Sequence, residues 1–278
     1  MTKPPKLDFS LLHEKKPEIA VLMFHGMTGS PFEMKKMAKA LYAAGFDVYC
    51  DCLPGHGTSE IDIKCVTWKN WYDHAIERVE ELSKEYPEIY LAGLCMGAAL
   101  ALGVAAAKVG NVKGVISLST TLFLDGWTIP PYRVFFPLGL HTIVRYYYTF
   151  PEREPYGLKD ERIRKKIAAL QKGNSVALDN YPLSCTYELL KLSKYVRKRL
   201  ANVKVPVLII HSKEDDLTST RSAKLVYNKI SSADKEYIEL ENSYHLIVLD
   251  NDKDLVFNKS KEFIERISGT TERELRCS

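Results

Sequence analysis

Apolar runs of strand length alternate with stretches of helical periodicity over most of the chain. The apolar runs predict strands at residues 7–12, 19–24, 46–52, 89–92, 112–118, 205–211 and 235–240. The run at 19–24 contains no polar residue, which is typical of a strand that is covered on both faces. Strands that alternate with helices imply an α/β fold in which a mostly parallel central sheet carries helices on both faces.

The helices follow from apolar residues that recur every three or four positions. One such face consists of Trp68, Trp71, Tyr72, Ala75, Val79 and Leu82. Another helix is predicted to start at Ser30, Pro31 and Glu33, which have the residue types of an N-cap, a first-turn proline and a capping-box acid.

The alternation stops between residues 120 and 200. This stretch is rich in aromatic residues and prolines and then contains two helical runs. We therefore predict that residues 1–119 and 201–278 form an α/β core, and that residues 120–200 are an inserted, largely helical cap. Residues 268–278 are expected to form a polar tail.

A candidate nucleophile lies where the predicted strand at 89–92 meets Gly93-Leu94-Cys95-Met96-Gly97 and an alanine-rich helix. A residue at such a sharp strand-to-helix turn has strained backbone angles, and its neighbours two positions away must be small. The turn would hold Cys95 over the N-terminus of the helix, where partial positive charge stabilises a thiolate or a developing oxyanion. The alternative is a buried, inert cysteine beside a tightly packed helix.

A nucleophile requires a base, and the base requires a carboxylate that orients it. Residues just past the C-terminal ends of parallel strands converge on one edge of the sheet. Asp215 follows one predicted strand and His245 follows the next, so the chain order is nucleophile, acid, base. Asp216 competes with Asp215 for the role of the acid.

The composition is that of an ordinary globular protein: 46% of the 278 residues are hydrophobic, 27% are charged, and the net charge is +4. The six cysteines show no metal-ligand spacing. The two that lie nearest each other, Cys50 and Cys52, are too close together for a zinc hairpin. No signal-peptide pattern follows Met1, so we expect reduced thiols and a cytoplasmic location. We also expect no cofactor, no metal, no nucleic-acid partner and no integral membrane segment; the sequence does not specify the oligomeric state.

Together, five stretches resemble the α/β-hydrolase superfamily: His25-Gly26-Met27-Thr28-Gly29, Pro54-Gly55-His56-Gly57, Gly93-Leu94-Cys95-Met96-Gly97, Glu214-Asp215-Asp216 and residues 243–250. Within it, residues 19–119 and 205–267 are similar to the bacterial carboxylesterase and monoacylglycerol-lipase group. The resemblance implies an acyl hydrolase with the triad Cys95, Asp215 and His245, and an oxyanion hole made by the backbone N–H groups of Met27 and Met96. His25, His56 and His211 are expected to shape loops and not to perform chemistry.

Two positions depart from that group. It has serine where this chain has Cys95, and it usually has glycine where this chain has Tyr244, so we expect a narrower mouth of the site. Cysteine occurs at the nucleophile position in dienelactone hydrolases and polyhydroxyalkanoate synthases; an engineered replacement of serine is the alternative.

The sequence therefore predicts an acyl ester or thioester hydrolase with a small-molecule substrate. An acyltransferase that uses the same acyl-cysteine, and a ligand-binding pseudo-hydrolase, remain as alternatives. Residues 151–204 contain 13 basic and six acidic residues, a net charge of 13 − 6 = +7. This excess is either a solvated helix surface or a region that attracts an anionic substrate or carrier.

Overall fold

A computed structural model describes residues 7–27, 29–57, 63–129, 140, 142–151, 154–171 and 180–269. The strands in these residues are β1 Phe9–Leu11, β2 Ile19–Phe24, β3 Asp47–Cys50, β4 Glu88–Leu94, β5 Val112–Leu118, β6 Thr149–Pro151, β7 Asn180–Pro182, β8 Val207–Ser212 and β9 Lys235–Leu240. The helices are α1 Pro31–Ala43, α2 Trp68–Leu82, α3 Met96–Ala107, α4 Val144–Tyr147, α5 Glu161–Gln171, α6 Leu183–Arg197, α7 Arg221–Lys229 and α8 Lys253–Ser268. The predicted tail falls, beyond Gly269, outside the described residues.

The strands of the core pair in the order β1-β3-β2-β4-β5-β8-β9. Only β1 runs antiparallel to its neighbour in this sheet; the other pairs are parallel. Every residue of β2 is buried, as expected for a strand covered on both faces. The predicted α/β class with a mostly parallel sheet is confirmed.

Helix α3 lies at the centre of the molecule and starts at the sheet edge. Its residues from Met96 to Ala106 are all buried, because α3 is apolar on every side and packs against β4, β5 and α6. A Cβ atom added at Gly103 would lie 3.2 Å from Cγ2 of Val196 on α6. The small side chains of α3 therefore let a second helix approach closely and fix where α3 begins.

The helix start predicted at residues 30–33 is correct in position but not in its capping contacts. Ser30 is the N-cap residue of α1 and Pro31 its first residue, but Ser30 makes no side-chain capping hydrogen bond. The capping box is wrong, because the Glu33 carboxylate accepts a hydrogen bond from the N–H of Gly26 instead. A capping box forms at α2, where Thr67 and Asn70 bond each other reciprocally.

The region between β5 and β8 contains more than the two predicted helical runs. Strands β6 and β7 pair antiparallel, with Thr149 opposite Pro182, and the short helix α4 precedes β6. Helix α6 packs directly on α3. The division into a core and a cap at residues 120–200 stays a prediction. Among the described helices, none combines the length and the apolar character that a bilayer crossing requires.

Candidate active site

Cys95 occupies the turn between β4 and α3. Its backbone has φ 59° and ψ −115°, in a region that side chains rarely adopt. A Cβ atom at Gly93 would lie 2.1 Å from the carbonyl oxygen of Gly97, and one at Gly97 would lie 2.2 Å from that of Phe24. The predicted need for small neighbours is therefore confirmed: a larger residue on either side would push this turn apart.

The structure brings the predicted acid and base together. Nδ1 of His245 lies 2.8 Å from Oδ2 of Asp215. The other oxygen of Asp215 accepts hydrogen bonds from the N–H groups of Leu217 and Thr218, at 2.9 and 2.8 Å. Asp216 contacts the base only through the backbone, because its Oδ1 accepts from the N–H of His245 at 3.3 Å. Asp215, not Asp216, therefore orients the imidazole.

Burial and mutual attraction act in opposite directions on this pair. Burial alone lowers the pKa of His245, but the Asp215 carboxylate and the Cys95 sulfur outweigh it and raise that pKa well above its ordinary value. Burial likewise raises the pKa of Asp215, but His245 reverses the effect and the net pKa is lowered. Nε2 of His245 is buried and has no hydrogen-bond partner among the described residues. This nitrogen is available to take a proton from the Cys95 thiol.

The loop after β2 passes beside the nucleophile. A Cβ atom at Gly26 would lie 3.6 Å from Cβ of Cys95. The next residue, Met27, and the first residue of α3, Met96, are the two predicted oxyanion donors; Thr28 lies outside the described residues. Among the described residues, no hydrogen bond uses the N–H of Met27 or that of Met96. For Met96 this is expected, because it is the first residue of α3 and the N–H groups of a first helical turn have no partner within the helix. Both N–H groups can therefore serve a ligand at Cys95.

Three buried histidines hold the loops around the site, as expected from the sequence. Nε2 of His25 accepts a hydrogen bond from the N–H of Leu53 at 3.0 Å, and its Nδ1 lies 2.8 Å from the Gly26 carbonyl. His56 bonds the Met27 carbonyl through Nε2. His211 is also buried, with Nε2 3.0 Å from the Thr218 carbonyl. All three tie together loops at the C-terminal edge of the sheet.

Three residues at the site were not singled out from the sequence. The hydroxyl of Thr121 donates to Sγ of Cys95 at 3.3 Å. The hydroxyl of Ser119 donates to the His245 carbonyl at 2.7 Å. The buried carboxylate of Asp250 accepts from the N–H of Tyr244 at 2.8 Å. The first two directly follow β5, so the rule that located Asp215 and His245 would have drawn attention to them.

Aromatic and charged side chains lie on the outer side of the base. The Tyr244 ring meets the Trp127 ring edge-on, with centroids 5.5 Å apart, and Nζ of Lys159 lies 5.7 Å from the Tyr244 centroid. Lys159 also pairs with Glu214 at 2.6 Å. Tyr244 thus packs where the resembling group usually has glycine. In the described part of the chain, no cluster of His, Cys, Asp and Glu is arranged to hold a metal ion.

Known proteins are similar to this chain over nearly its full length. The chain is 27% identical to the thermostable monoacylglycerol lipase of Bacillus sp. (strain H-257), over 90% of this chain and 92% of that protein. It is 25% identical to the carboxylesterase of Bacillus subtilis (strain 168), over 89% and 93%. One of the solved structures of LipS and LipT, two metagenome-derived lipolytic enzymes, matches with a TM-score of 0.79 and 27% identity, covering 93% of this chain and 97% of that one.

These relatives confirm the expectation of an enzyme of the ester-hydrolase class, and the structural match agrees with the α/β-hydrolase fold. The family model described as serine aminopeptidase, S33, matches residues 15–252. Because that range includes β2 to β9 and all three residues of the predicted triad, the chain belongs to this α/β-hydrolase family, Hydrolase_4.

Proposed function

We propose that the protein hydrolyses carboxylic esters or thioesters through a Cys95–His245–Asp215 triad. The observation that carries the proposal is the buried Asp215–His245 pair, which interacts with the sulfur of Cys95, a residue held at a strained turn. A base that is oriented by a carboxylate and lies next to a nucleophile is the arrangement that acyl transfer needs. The two N–H groups of Met27 and Met96 complete it.

In the proposed mechanism, Nε2 of His245 takes the thiol proton and Sγ of Cys95 attacks the carbonyl carbon. The N–H groups of Met27 and Met96 hold the resulting oxyanion. Collapse expels the alcohol or thiol, which leaves with the proton from His245, and an acyl-cysteine remains. His245 then takes a proton from water, the hydroxide attacks the acyl-cysteine, and the acid departs as the thiol is restored.

The substrate class follows from the relatives and from the nucleophile. A monoacylglycerol is the first ester to test, because one relative is named as a monoacylglycerol lipase. A thioester suits Cys95 because the acyl group then passes from one sulfur to another. An acyltransferase would form the same acyl-cysteine but pass the acyl group to an alcohol or an amine.

We further propose a reducing, cytoplasmic location. The described cysteines are free thiols, which supports this proposal.

The proposal is tested with a chromogenic short-chain ester, a monoacylglycerol and an acyl-CoA. We expect the wild type to hydrolyse at least one of them, and Cys95→Ala and His245→Gln to lose about 10³-fold or more of kcat/KM. The matched control is Cys65→Ala, at an exposed cysteine, which should keep full activity. An acyl adduct on Cys95 should be visible by mass spectrometry after rapid quenching.

Three results would contradict the assignment. Unchanged hydrolysis by Cys95→Ala would remove the nucleophile from the mechanism. Turnover only after an alcohol or amine is added would identify an acyltransferase. Binding of the esters without turnover would identify a ligand-binding protein on a hydrolase fold.

A further inference from the structure

The side chain of Thr121 touches the sulfur of the proposed nucleophile. Its hydroxyl lies 3.3 Å from Sγ of Cys95 and 3.2 Å from the carbonyl oxygen of Ser119. Thr121 is 1% exposed, so water does not compete freely for this hydroxyl. A hydroxyl has one hydrogen to donate, and it must therefore go either to the sulfur or to the carbonyl.

The backbone of Thr121 is anchored at both ends. Its N–H donates to the Cys95 carbonyl at 3.4 Å, and its own carbonyl accepts from the hydroxyl of Ser193 on α6 at 3.1 Å. Two residues earlier, Ser119 has a positive φ of 45° and donates its hydroxyl to the His245 carbonyl. The short segment after β5 thus contacts the nucleophile with one hydroxyl and the loop of the base with another.

We propose that Thr121 is a further catalytic residue whose hydroxyl stabilises the negatively charged sulfur of Cys95; this rests on the proposed function. A charge-assisted hydrogen bond is about twice as strong as a neutral one. The hydroxyl therefore donates to Sγ while the sulfur is a thiolate, and to the Ser119 carbonyl once the sulfur is protonated or acylated. No proton is transferred in this exchange, because only the direction of the O–H bond changes.

The role differs from those of the other groups around the sulfur. His245, oriented by Asp215, removes the thiol proton. The N-terminus of α3 supplies a fixed partial positive charge, and the Glu33 carboxylate is held by the N–H of Gly26 in the neighbouring loop. Thr121 is a neutral donor that keeps its own proton, so it can favour the thiolate without competing as a base. Its removal should therefore weaken the thiolate while the Asp215–His245 pair stays intact.

The test compares Thr121→Val, which keeps the shape but loses the hydroxyl, with Thr121→Ser, which keeps the hydroxyl. Without any substrate, we measure alkylation of Cys95 by iodoacetamide at one fixed pH and the ultraviolet absorbance of its thiolate. A hydrogen bond to a charged group contributes about 1.5–3 kcal/mol. Alkylation of Cys95 in the Thr121→Val variant should therefore be about 10- to 100-fold slower than in the wild type. Its thiolate absorbance should fall as well, and Thr121→Ser should recover most of both.

Thr186→Val is the control for a threonine-to-valine change at another buried position. Cys95 in this variant should be alkylated at the wild-type rate. Circular dichroism establishes that each variant is folded. The proposal would be overturned if Cys95 in the folded Thr121→Val variant were alkylated at the wild-type rate. It would also be overturned if alkylation in Thr121→Ser were no faster than in Thr121→Val. Hydrolysis that survives in Cys95→Ala would refute the proposed function instead, and the alkylation result would be read independently of it.

Discussion

Cys50, Cys95 and Cys185 are all buried, but their surroundings differ. Burial raises the pKa of Cys50 well above its ordinary value, that of Cys52 to about 11 and that of Cys185 to about 12. Cys95 is also buried, but it adjoins His245, the Thr121 hydroxyl and a helix N-terminus. We therefore expect Cys95 to be the most reactive of these buried cysteines, because the thiolate is the reactive form of a cysteine.

Iodoacetamide at neutral pH should therefore label Cys95 well before Cys50, Cys52 and Cys185. The exposed Cys65 is first removed as Cys65→Ser, so that accessibility alone does not decide the result. Peptide mass spectrometry follows the labelling, and ester hydrolysis should fall in proportion to the modified fraction of Cys95. Equal labelling of Cys52 and Cys95, with hydrolysis retained, would show that Cys95 has no special reactivity.

At the scale of single residues, the sequence predicted those residues of the site that a local sequence pattern identifies. Cys95 directly follows β4, Asp215 and His245 lie in the loops after β8 and β9, and the glycines two residues from Cys95 mark the turn. Thr121 was not singled out because Ser119, Thr120 and Thr121 all follow β5, and no local pattern shows which of them reaches Cys95. Glu33 was misassigned because its local pattern matches a capping box, whereas the contact with Gly26 depends on how the loop after β2 folds back.

At the scale of elements, one buried carboxylate joins the segment before α5 to the loop of the base. The carboxylate of Asp250 is fully buried and accepts from the N–H groups of Lys159 and Asp160, at 2.7 and 2.8 Å, as well as from that of Tyr244. The N–H of Leu246 also donates to the carbonyl of Gly157 at 2.8 Å. Residues 157–160 and the loop around His245 should therefore move as one unit.

Asp250→Asn should loosen both segments together. The amide has one acceptor oxygen and places an NH₂ group against buried N–H donors, so we expect a loss of about 1–3 kcal/mol in the free energy of unfolding. Hydrogen exchange should rise at 157–160 and at 244–246. Asp252→Asn is the matched control, because Asp252 bonds Asn242 and Ser243 in the same loop but not residues 157–160. A rise confined to 244–246 in Asp250→Asn would show that the two segments are not coupled.

The longer strands of the sheet were predictable because apolar runs of strand length, bounded by polar turns, are typical of buried strands. Strands β5 and β9 have the predicted strand at almost the same residues. The three-residue strands β6 and β7 were not predicted, because they are too short for a periodic signal and pair across about 30 residues. The pairing of β1 with β3, and not with the adjacent β2, depends equally on the finished sheet.

At the scale of the whole molecule, buried histidines make stability depend on pH. Burial lowers the pKa of His56 and His211, and it lowers that of His25 well below 6.5. The unfolded chain therefore binds protons near pH 6.5 that the folded chain does not, so stability is lost as the pH falls below that value. His245 acts in the opposite sense: its pKa is raised, so its contribution is complete below about pH 6.5 and is lost as the pH rises through its folded pKa.

Urea unfolding between pH 7 and pH 5 measures this balance. A buried histidine that stays neutral in the folded protein should remove about 1.4 kcal/mol per pH unit below its unfolded pKa. His25→Gln keeps an acceptor for the N–H of Leu53 but cannot take up the proton, so stability should fall less steeply with acid than in the wild type. His245→Gln is the contrasting variant: it should change the slope above pH 6.5, where His25→Gln should have no effect. A wild-type stability that is level from pH 7 to pH 5, or a His25→Gln slope equal to that of the wild type, would mean that these rings are protonated in the folded protein.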